Sequence, residues 1–168
     1  MSNLSQRQVH NLDPVFNSDC KVLILGSFPS PKSREIGFYY GNPQNRFWKV
    51  LSRLYNTSIA SDNISRTKFC LEHHIGLWDV LHSCDIVGAS DASIENVEVN
   101  DIASLIKGSR IHTIFTTGNT SYKLCCKYLQ DSVGIKAIKL PSTSPANARY
   151  TLDKLVEAYG VVIEAIEK

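Results

Sequence analysis

The run KVLIL, Lys21 to Leu25, stopped by Gly26, constrains this chain more than any other feature. Four branched apolar residues in succession leave no polar face, so a strand built from them must be covered on both sides, as in a parallel sheet between layers. Three further segments read as strands: Ile75 to Leu81 (IGLWDVL), Arg110 to Thr117 (RIHTIFTT) and Ile135 to Leu140 (IKAIKL). Helical patterns alternate with them. Asn45 caps a helix from Arg46 to Tyr55 with Phe47, Val50, Leu51 and Leu54 on one face, and Ser65 caps a second that ends near His74. Asn100 caps DIASLIKG, which Gly108 stops, and two more helices span Thr120 to Gln130 and Thr151 to Ile166. Such alternation predicts an α/β fold with helices on both faces of a parallel sheet.

A length of 168 residues suits one domain over residues 1–168. Its first twenty residues, polar and interrupted by Pro14, read as an irregular leader. No apolar run approaches the roughly 20 residues of a membrane span, and the opening MSNLSQRQVHNLD lacks a signal-peptide core. A soluble intracellular protein, cytoplasmic and without a membrane partner, is therefore expected. The five cysteines (Cys20, Cys70, Cys84, Cys125, Cys126) contain no CxxC pair and read as reduced, packed thiols. His73, His74, His82 and His112 lack metal-ligand spacing, so no metal site is expected. A net charge of +2 is too small to imply nucleic acid, and any such field must come from local clustering.

In open α/β sheets, ligands bind beyond the carboxyl ends of the strands. That rule gathers GSFPSPKSREIGFYYGNPQNRFW, the segment from Asp79 to Ile94, GNTS, and PSTSPANA around one place. The turn GSFPS has neither the GxGxxG glycines nor the Lys-Ser/Thr ending of a mononucleotide loop, which argues against a nucleotide cofactor. Gly26 and Pro29 instead suggest a rigid turn whose backbone lies close to another group, with the Ser27 and Ser30 hydroxyls in reach of it.

Taken in order, GSFPS, YYGNPQNRFW, LWDVL with GASDASI, TTGNTS and LPSTSPANA resemble the uracil-DNA glycosylase superfamily, specifically its hypoxanthine-DNA (deoxyinosine) glycosylase branch, from about Lys21 to Tyr150. The resemblance implies a three-layer α/β/α sandwich with a four-stranded parallel sheet and a pocket for a base turned out of the duplex. It also implies hydrolysis of the N-glycosidic bond without a cofactor. The partner implied is double-stranded DNA carrying a deaminated base, engaged by a monomer. Excision of hypoxanthine is the leading expectation and mismatched uracil or thymine the alternative. A non-catalytic nucleic-acid or nucleotide-binding domain is the reading from another class.

Where the superfamily usually carries Asp or Asn in its first motif, this chain has Phe28, which packs against a base but orients no water. The resemblance moves that duty to Asn45, while the residues alone leave Asn45 equally a helix cap. Asp79 is the second catalytic candidate, with a loop cap or an Arg partner as its ordinary roles. Asp91 is a weaker candidate of the same kind. Gly26, Ser27, Phe28, Tyr40 and Asn119 are the expected base pocket, Phe47 and Trp48 being assigned to packing. Asn119 can meet a base edge or cap the helix after it. Ser30, Lys32, Ser142, Thr143, Ser144 and Arg149 are the expected DNA contacts, and Arg46, Lys49 and Lys139 add local positive charge. Leu140 occupies the place of the superfamily's motif-two His, and no Lys is positioned for Schiff-base chemistry.

Overall fold

In the computed structural model, which describes residues 4–168, the chain opens on a short strand, β1 (Gln6–Val9). Next come β2 (Val22–Gly26), α1 (Pro31–Ile36), α2 (Phe47–Leu54), α3 (Asn63–Glu72) and β3 (Ile75–Asp79). A hairpin of β4 (Leu81–Val87) and β5 (Ser90–Val99) leads through α4 (Ile102–Ile106) to β6 (Thr113–Thr117). Helices α5 (Asn119–Tyr128) and α6 (Gln130–Val133), strand β7 (Ala137–Leu140) and helix α7 (Leu152–Glu167) complete the path. No helix among the described residues is long and apolar enough to cross a membrane.

The four strands expected from the sequence form one parallel sheet in the order β3-β2-β6-β7. Every residue of β2 is buried, as its unbroken apolar run requires. Val22 and Ile24 join Ile75, Leu77, Phe115 and Leu140 under α2, α3 and α7. Leu23 and Leu25 point the other way, toward Ile102 of α4, Cys125 of α5 and Leu81, Cys84 and Ile86 of β4. This is the three-layer α/β/α sandwich, with β4 taking part in one outer layer. Phe47, Val50 and Leu51 lose all solvent contact on the inner face of α2. Truncating Leu51 to Ala there would cost about 2–5 kcal/mol, since both the transfer energy and the filled volume are lost.

A second sheet, antiparallel and of three strands in the order β1-β4-β5, corrects two sequence expectations. The first twenty residues are not irregular throughout. Residues 6–9 pair with β4, Val15 bridges Leu77, and Leu12, Val15 and Cys20 are buried; residues 1–3 lie outside the described part of the leader. The segment DIVGASDASIENVEVN, Asp85 to Asn100, whose polar sequence reads as a loop, is likewise most of a hairpin that turns at Gly88, whose φ is +55°. Both strands are polar on their outer face, so no apolar signal marks them. Arg7 fastens the sheet by donating to Ser83 Oγ (2.8 Å), Glu98 Oε1 (2.9 Å), Asp85 Oδ1 (3.3 Å) and the Asn96 carbonyl.

Local caps also differ from expectation. Asp101, not Asn100, caps α4 through Ser104 N–H, and Asp62, not Ser65, caps α3. A competing demand explains the first. Asn100 is buried and its amide donates to the carbonyls of Asp79 (2.9 Å) and Leu81 (3.1 Å), holding the chain where β3 passes into β4. The long segment after β2 is interrupted by α1, capped by Ser30 Oγ and closed by Gly37 in the left-handed region.

Candidate active site

A cavity of about 270 Å³ opens where the carboxyl ends of β2, β3 and β6 meet the loop after β7. It lies at the small end of ligand pockets, roughly 300–1,000 Å³, and so suits one base better than a dinucleotide. Gly26 forms its floor. A Cβ built there would sit 2.5 Å from Asp79 Oδ1 and 3.7 Å from both Thr117 Oγ1 and Tyr40 Oη. Gly26 therefore leaves room for three side-chain oxygens from three different segments to converge, which is the close approach its sequence position suggested.

Asp79, the last residue of β3, is buried to 4% exposure yet lines the cavity. Its Oδ2 lies 2.8 Å from His10 Nε2. The His10 Nδ1 accepts the Leu12 backbone N–H at 3.3 Å, and a backbone N–H can only donate, so the ring proton sits on Nε2 and is donated to Asp79. His10 was missed in the sequence because it falls in a segment read as leader. Thr117, another cavity residue not anticipated, was legible in principle as the terminal residue of a strand.

Asn45 is half-buried at the entrance to α2. Its Oδ1 accepts two hydrogen bonds, from the Phe47 N–H at 2.9 Å and from the Thr143 hydroxyl at 2.7 Å. The first of these fixes the amide orientation, because the N–H admits only an acceptor. Both acceptor sites of the carboxamide are thus committed to the protein. What Asn45 presents to the cavity it lines is its NH₂ group, a donor. The residue acts on the first turn of α2 and faces the cavity at once.

Tyr40 has φ +51°, an uncommon conformation for a residue with a side chain and one that marks functional sites when the surroundings enforce it. Its ring stacks on Phe47 with centroids 3.9 Å apart and 13° between planes. Burial first, and then the charge of Asp79, pushes the Tyr40 phenol well above its ordinary value, so it remains a protonated donor within 3.4 Å of Thr117 Oγ1. Phe28 lines the same cavity edge-on to His10 at 6.0 Å, with the Arg34 guanidinium 5.5 Å from its ring centroid. The hairpin contributes Ile86, Gly88, Ala89 and Asp91 as one wall. Partial burial raises the Asp91 carboxyl above its ordinary range, opposed by the Ser27 hydroxyl 3.4 Å away and reinforced by the charge of Asp79.

The loop after β7 forms the opposite wall through Ser142, Ser144 and Pro145. It is held tightly. Arg46 donates to the carbonyls of Thr143 (3.4 Å), Ser144 (2.9 Å), Asn147 (3.0 Å) and Tyr150, and Tyr159 Oη donates to the Pro141 carbonyl at 2.6 Å. Arg46 is accordingly a clamp on this loop, its donors committed to four carbonyls. Gly118, at φ +91°, lets this loop pass close by, for a Cβ there would lie 3.3 Å from Ser142 Cβ.

The structure brings together Gly26, Ser27, Phe28, Ser30, Tyr40, Asn45, Asp79, Ser142 and Ser144 around the cavity. Four residues assigned from the sequence do not line it. Asn119 is exposed at the start of α5, does not line the cavity, and accepts from Lys139 Nζ at 3.0 Å. Thr143 is 1% exposed and turned inward to Asn45, so its hydroxyl is not on the surface for DNA. Lys32 and Arg149 are exposed beyond the rim, Lys32 beside Glu35 at 3.7 Å. Among the described residues no cluster of three or more His, Cys, Asp or Glu side chains is arranged to hold a metal.

Comparison with known proteins gives a consistent result. Residues 14–162 match the family described as the uracil DNA glycosylase superfamily. A protein of Methanosarcina acetivorans named hypoxanthine DNA glycosylase is 30% identical over 142 residues, which cover 83% of this chain and 89% of that one. A protein of the same name from Methanosarcina barkeri is 34% identical over 93 residues, 55% of this chain and 59% of its own. The solution NMR structure of a candidate uracil DNA glycosylase from Methanosarcina acetivorans superposes with a TM-score of 0.81 at 27% identity, covering 97% of this chain and all of that one.

Proposed function

The chain belongs to the uracil DNA glycosylase superfamily, and from that premise we propose that it excises hypoxanthine from DNA by hydrolysing the N-glycosidic bond of deoxyinosine. The substrate in this reading is double-stranded DNA with the deaminated base turned out into the cavity, the protein is a monomer, and base excision repair is the pathway served. One observation carries it. A buried carboxylate acceptor, Asp79, and an amide donor, Asn45, line a single base-sized cavity at the strand ends.

Departure of a purine through an oxocarbenium-like sugar needs positioned water and hydrogen bonds that take up charge on the base, more than it needs a strong nucleophile. Asp79 is the acceptor for the water proton. Asn45, whose oxygen is already engaged by Phe47 and Thr143, supplies a donor to the departing base as negative charge grows on it. This revises the water-positioning duty expected of Asn45, because an amide oxygen with both acceptor sites engaged has none left for a hydrogen of the attacking water. Tyr40 and Phe28 provide flat faces for the extruded base, a contact worth about 1–3 kcal/mol in nucleic-acid proteins. Ser142 and Ser144, which line the same cavity, offer hydroxyls to the phosphates of the strand.

The test is excision from duplexes carrying a single deoxyinosine, uracil or xanthine, followed by alkaline cleavage of the abasic site. Deoxyinosine is expected to be the preferred substrate, and activity is expected to survive EDTA, since neither carboxylate nor amide chemistry calls for a metal. Asn45→Asp retains the oxygen that Phe47 needs but exchanges the donor for an anion, and is expected to lose the single-turnover rate by orders of magnitude while keeping its fold. Native rate in Asn45→Asp removes Asn45 from the reaction; preference for uracil over deoxyinosine overturns the substrate.

A further inference from the structure

The pair behind the cavity floor has a feature that the reading above does not use. His10 and Asp79 are both buried, with side chains 2% and 6% exposed, and they come from different sheets: His10 follows β1, Asp79 ends β3. The imidazole is fixed on every side. Its backbone N–H reaches the His82 carbonyl at 2.6 Å, its Nδ1 is occupied by the Leu12 N–H at 3.3 Å, and its ring packs edge-on to Phe28 and at a tilt to Tyr39. Only one direction remains for the Nε2 proton, toward Asp79 Oδ2 at 2.8 Å. Meanwhile Oδ1 of the same carboxylate lies over Gly26, where any side chain would collide with it, and the Asp79 carbonyl is held by Asn100 at 2.9 Å.

Resting on the assignment of Asp79 as proton acceptor, we propose that His10 is a positioning residue for the excision reaction: its Nε2–H commits one Asp79 oxygen and thereby directs the other across Gly26 into the cavity. The arrangement compensates for Phe28. A first motif without a carboxylate or amide at that place has no group of its own to orient water, and the oriented carboxylate reaches the same space from the neighbouring strand. In the step served, the water oxygen bonds to C1′ as the bond from C1′ to the base nitrogen breaks, the electron pair of that bond passes to the purine, and the water proton goes to Asp79 and on to solvent. His10 neither gains nor loses a proton. Its contribution is geometric, of the kind by which a partner behind a reacting group holds it within a fraction of an ångström of its productive position.

Single-turnover excision of deoxyinosine by the full chain, with melting temperature and affinity for abasic product duplex measured alongside, tests this in five variants. His10→Phe keeps the ring and removes the donor, and is expected to slow excision about tenfold to a hundredfold with product affinity unchanged. His10→Gln places an amide N–H at the Nε2 position and is expected to stay within about threefold of the native rate, whereas His10→Asn, one bond short, behaves like His10→Phe. Asp79→Asn is expected to lose about a hundredfold or more, and adding His10→Phe to it to cost nothing further, because the residue being positioned no longer functions. A merely structural His10 gives a different pattern: Gln fails to rescue, or His10→Phe slows Asp79→Asn by the same factor as the native enzyme, and either result overturns the proposal. Native rate in His10→Phe overturns it too. Native rate in Asp79→Asn overturns the assignment of Asp79 and this inference with it, while a dead Asp79→Asn beside an active His10→Phe removes His10 alone. Should His10→Phe not fold, the contrast between Gln and Asn decides the matter.

Discussion

The four strands of the parallel sheet and the three of the β1-β4-β5 sheet are built on opposite terms. β2 is buried along its whole length and packs between two layers of helices and hairpin, whereas β5 is exposed along most of its length and the second sheet is fastened from its wet side by Arg7 and its acidic partners. The first sheet derives its rigidity from close packing on both faces, where a shift of one strand disturbs every neighbour. The second depends on exposed ion pairs, individually weak and screened by salt. Yet each lends the cavity a wall. The packed sheet supplies Gly26, Asp79 and Thr117 at its strand ends, and the other sheet supplies the hairpin residues Ile86 to Asp91 and, behind the floor, His10. Under the proposed function, placement of Asp79 falls to the rigid sheet and enclosure of the base to the one that is more easily altered.

Gly26→Ala is the severest challenge to that division. The new methyl would lie 2.5 Å from Asp79 Oδ1, and neither partner can yield easily: the Gly26 carbonyl accepts the Val80 N–H at 2.8 Å, and Asp79 is tied to His10 and Asn100. Excision is expected to fall by two orders of magnitude or more, with a melting temperature lowered by several degrees. Near-native single-turnover rate in Gly26→Ala would mean that the strand-end geometry does not govern the chemistry.

A smaller effect is expected from Thr143→Val, which keeps shape and removes the hydroxyl that donates to Asn45 at 2.7 Å. One acceptor site of Asn45 is then open and the amide less firmly held. The loss of one such bond, about 1 kcal/mol, corresponds to roughly fivefold in rate, with Thr143→Ser restoring it. A Thr143→Val enzyme slowed equally in product binding and in chemistry would show that the loop after β7, not the amide, is what Thr143 holds.

The same contrast between the sheets explains what could be read beforehand. Val22 to Leu25, Ile114 to Phe115 and the helical stripe Phe47, Val50, Leu51 announce themselves because burial on two faces demands unbroken or periodic apolar residues. β1 (QRQV) and β5 (SDASIENVEV) do not, since a half-exposed strand at the margin of a domain needs few apolar residues, and its pairing is settled by Arg7 reaching Asp85 and Glu98, far away in sequence. His10 was invisible for that reason, and Asn100 and Thr143 were misjudged because their side chains answer to Asp79, Leu81 and Asn45 across the fold. Asn45 lines the cavity where its place in the sequence put it, but the N-cap position of α2 falls to Arg46, and only the structure shows that the Asn45 oxygen is taken by Phe47 and Thr143. Arg7→Met, which leaves the second sheet its covered face, is expected to lower the melting temperature by a few degrees at most and to change the excision rate less than about twofold. A larger loss of rate would show that the hairpin wall is more tightly coupled to the chemistry than its exposed ties suggest.

The smallest effect lies at the rim, where Lys32 and Arg149 stand clear of the cavity and exposed. If these residues meet phosphates, each displaces about one condensed counterion, and the slope of log binding constant against log salt falls by about 0.9 when one is removed. Lys32 already has Glu35 at 3.7 Å as a partner in solution, so part of its charge is answered before DNA arrives and its slope change is expected to be the smaller of the two. Neither substitution touches a group that meets the base. In Lys32→Ala and Arg149→Ala the preference for deoxyinosine over uracil duplexes is therefore expected to stay at its native ratio while affinity for both falls together. The measurement is binding of abasic product duplex across a salt series, with excision rates on the two substrates at each salt. A change in the ratio between bases would place Lys32 or Arg149 in the recognition of the base itself, and the separation between the cavity that reads the base and the rim that holds the backbone would fail.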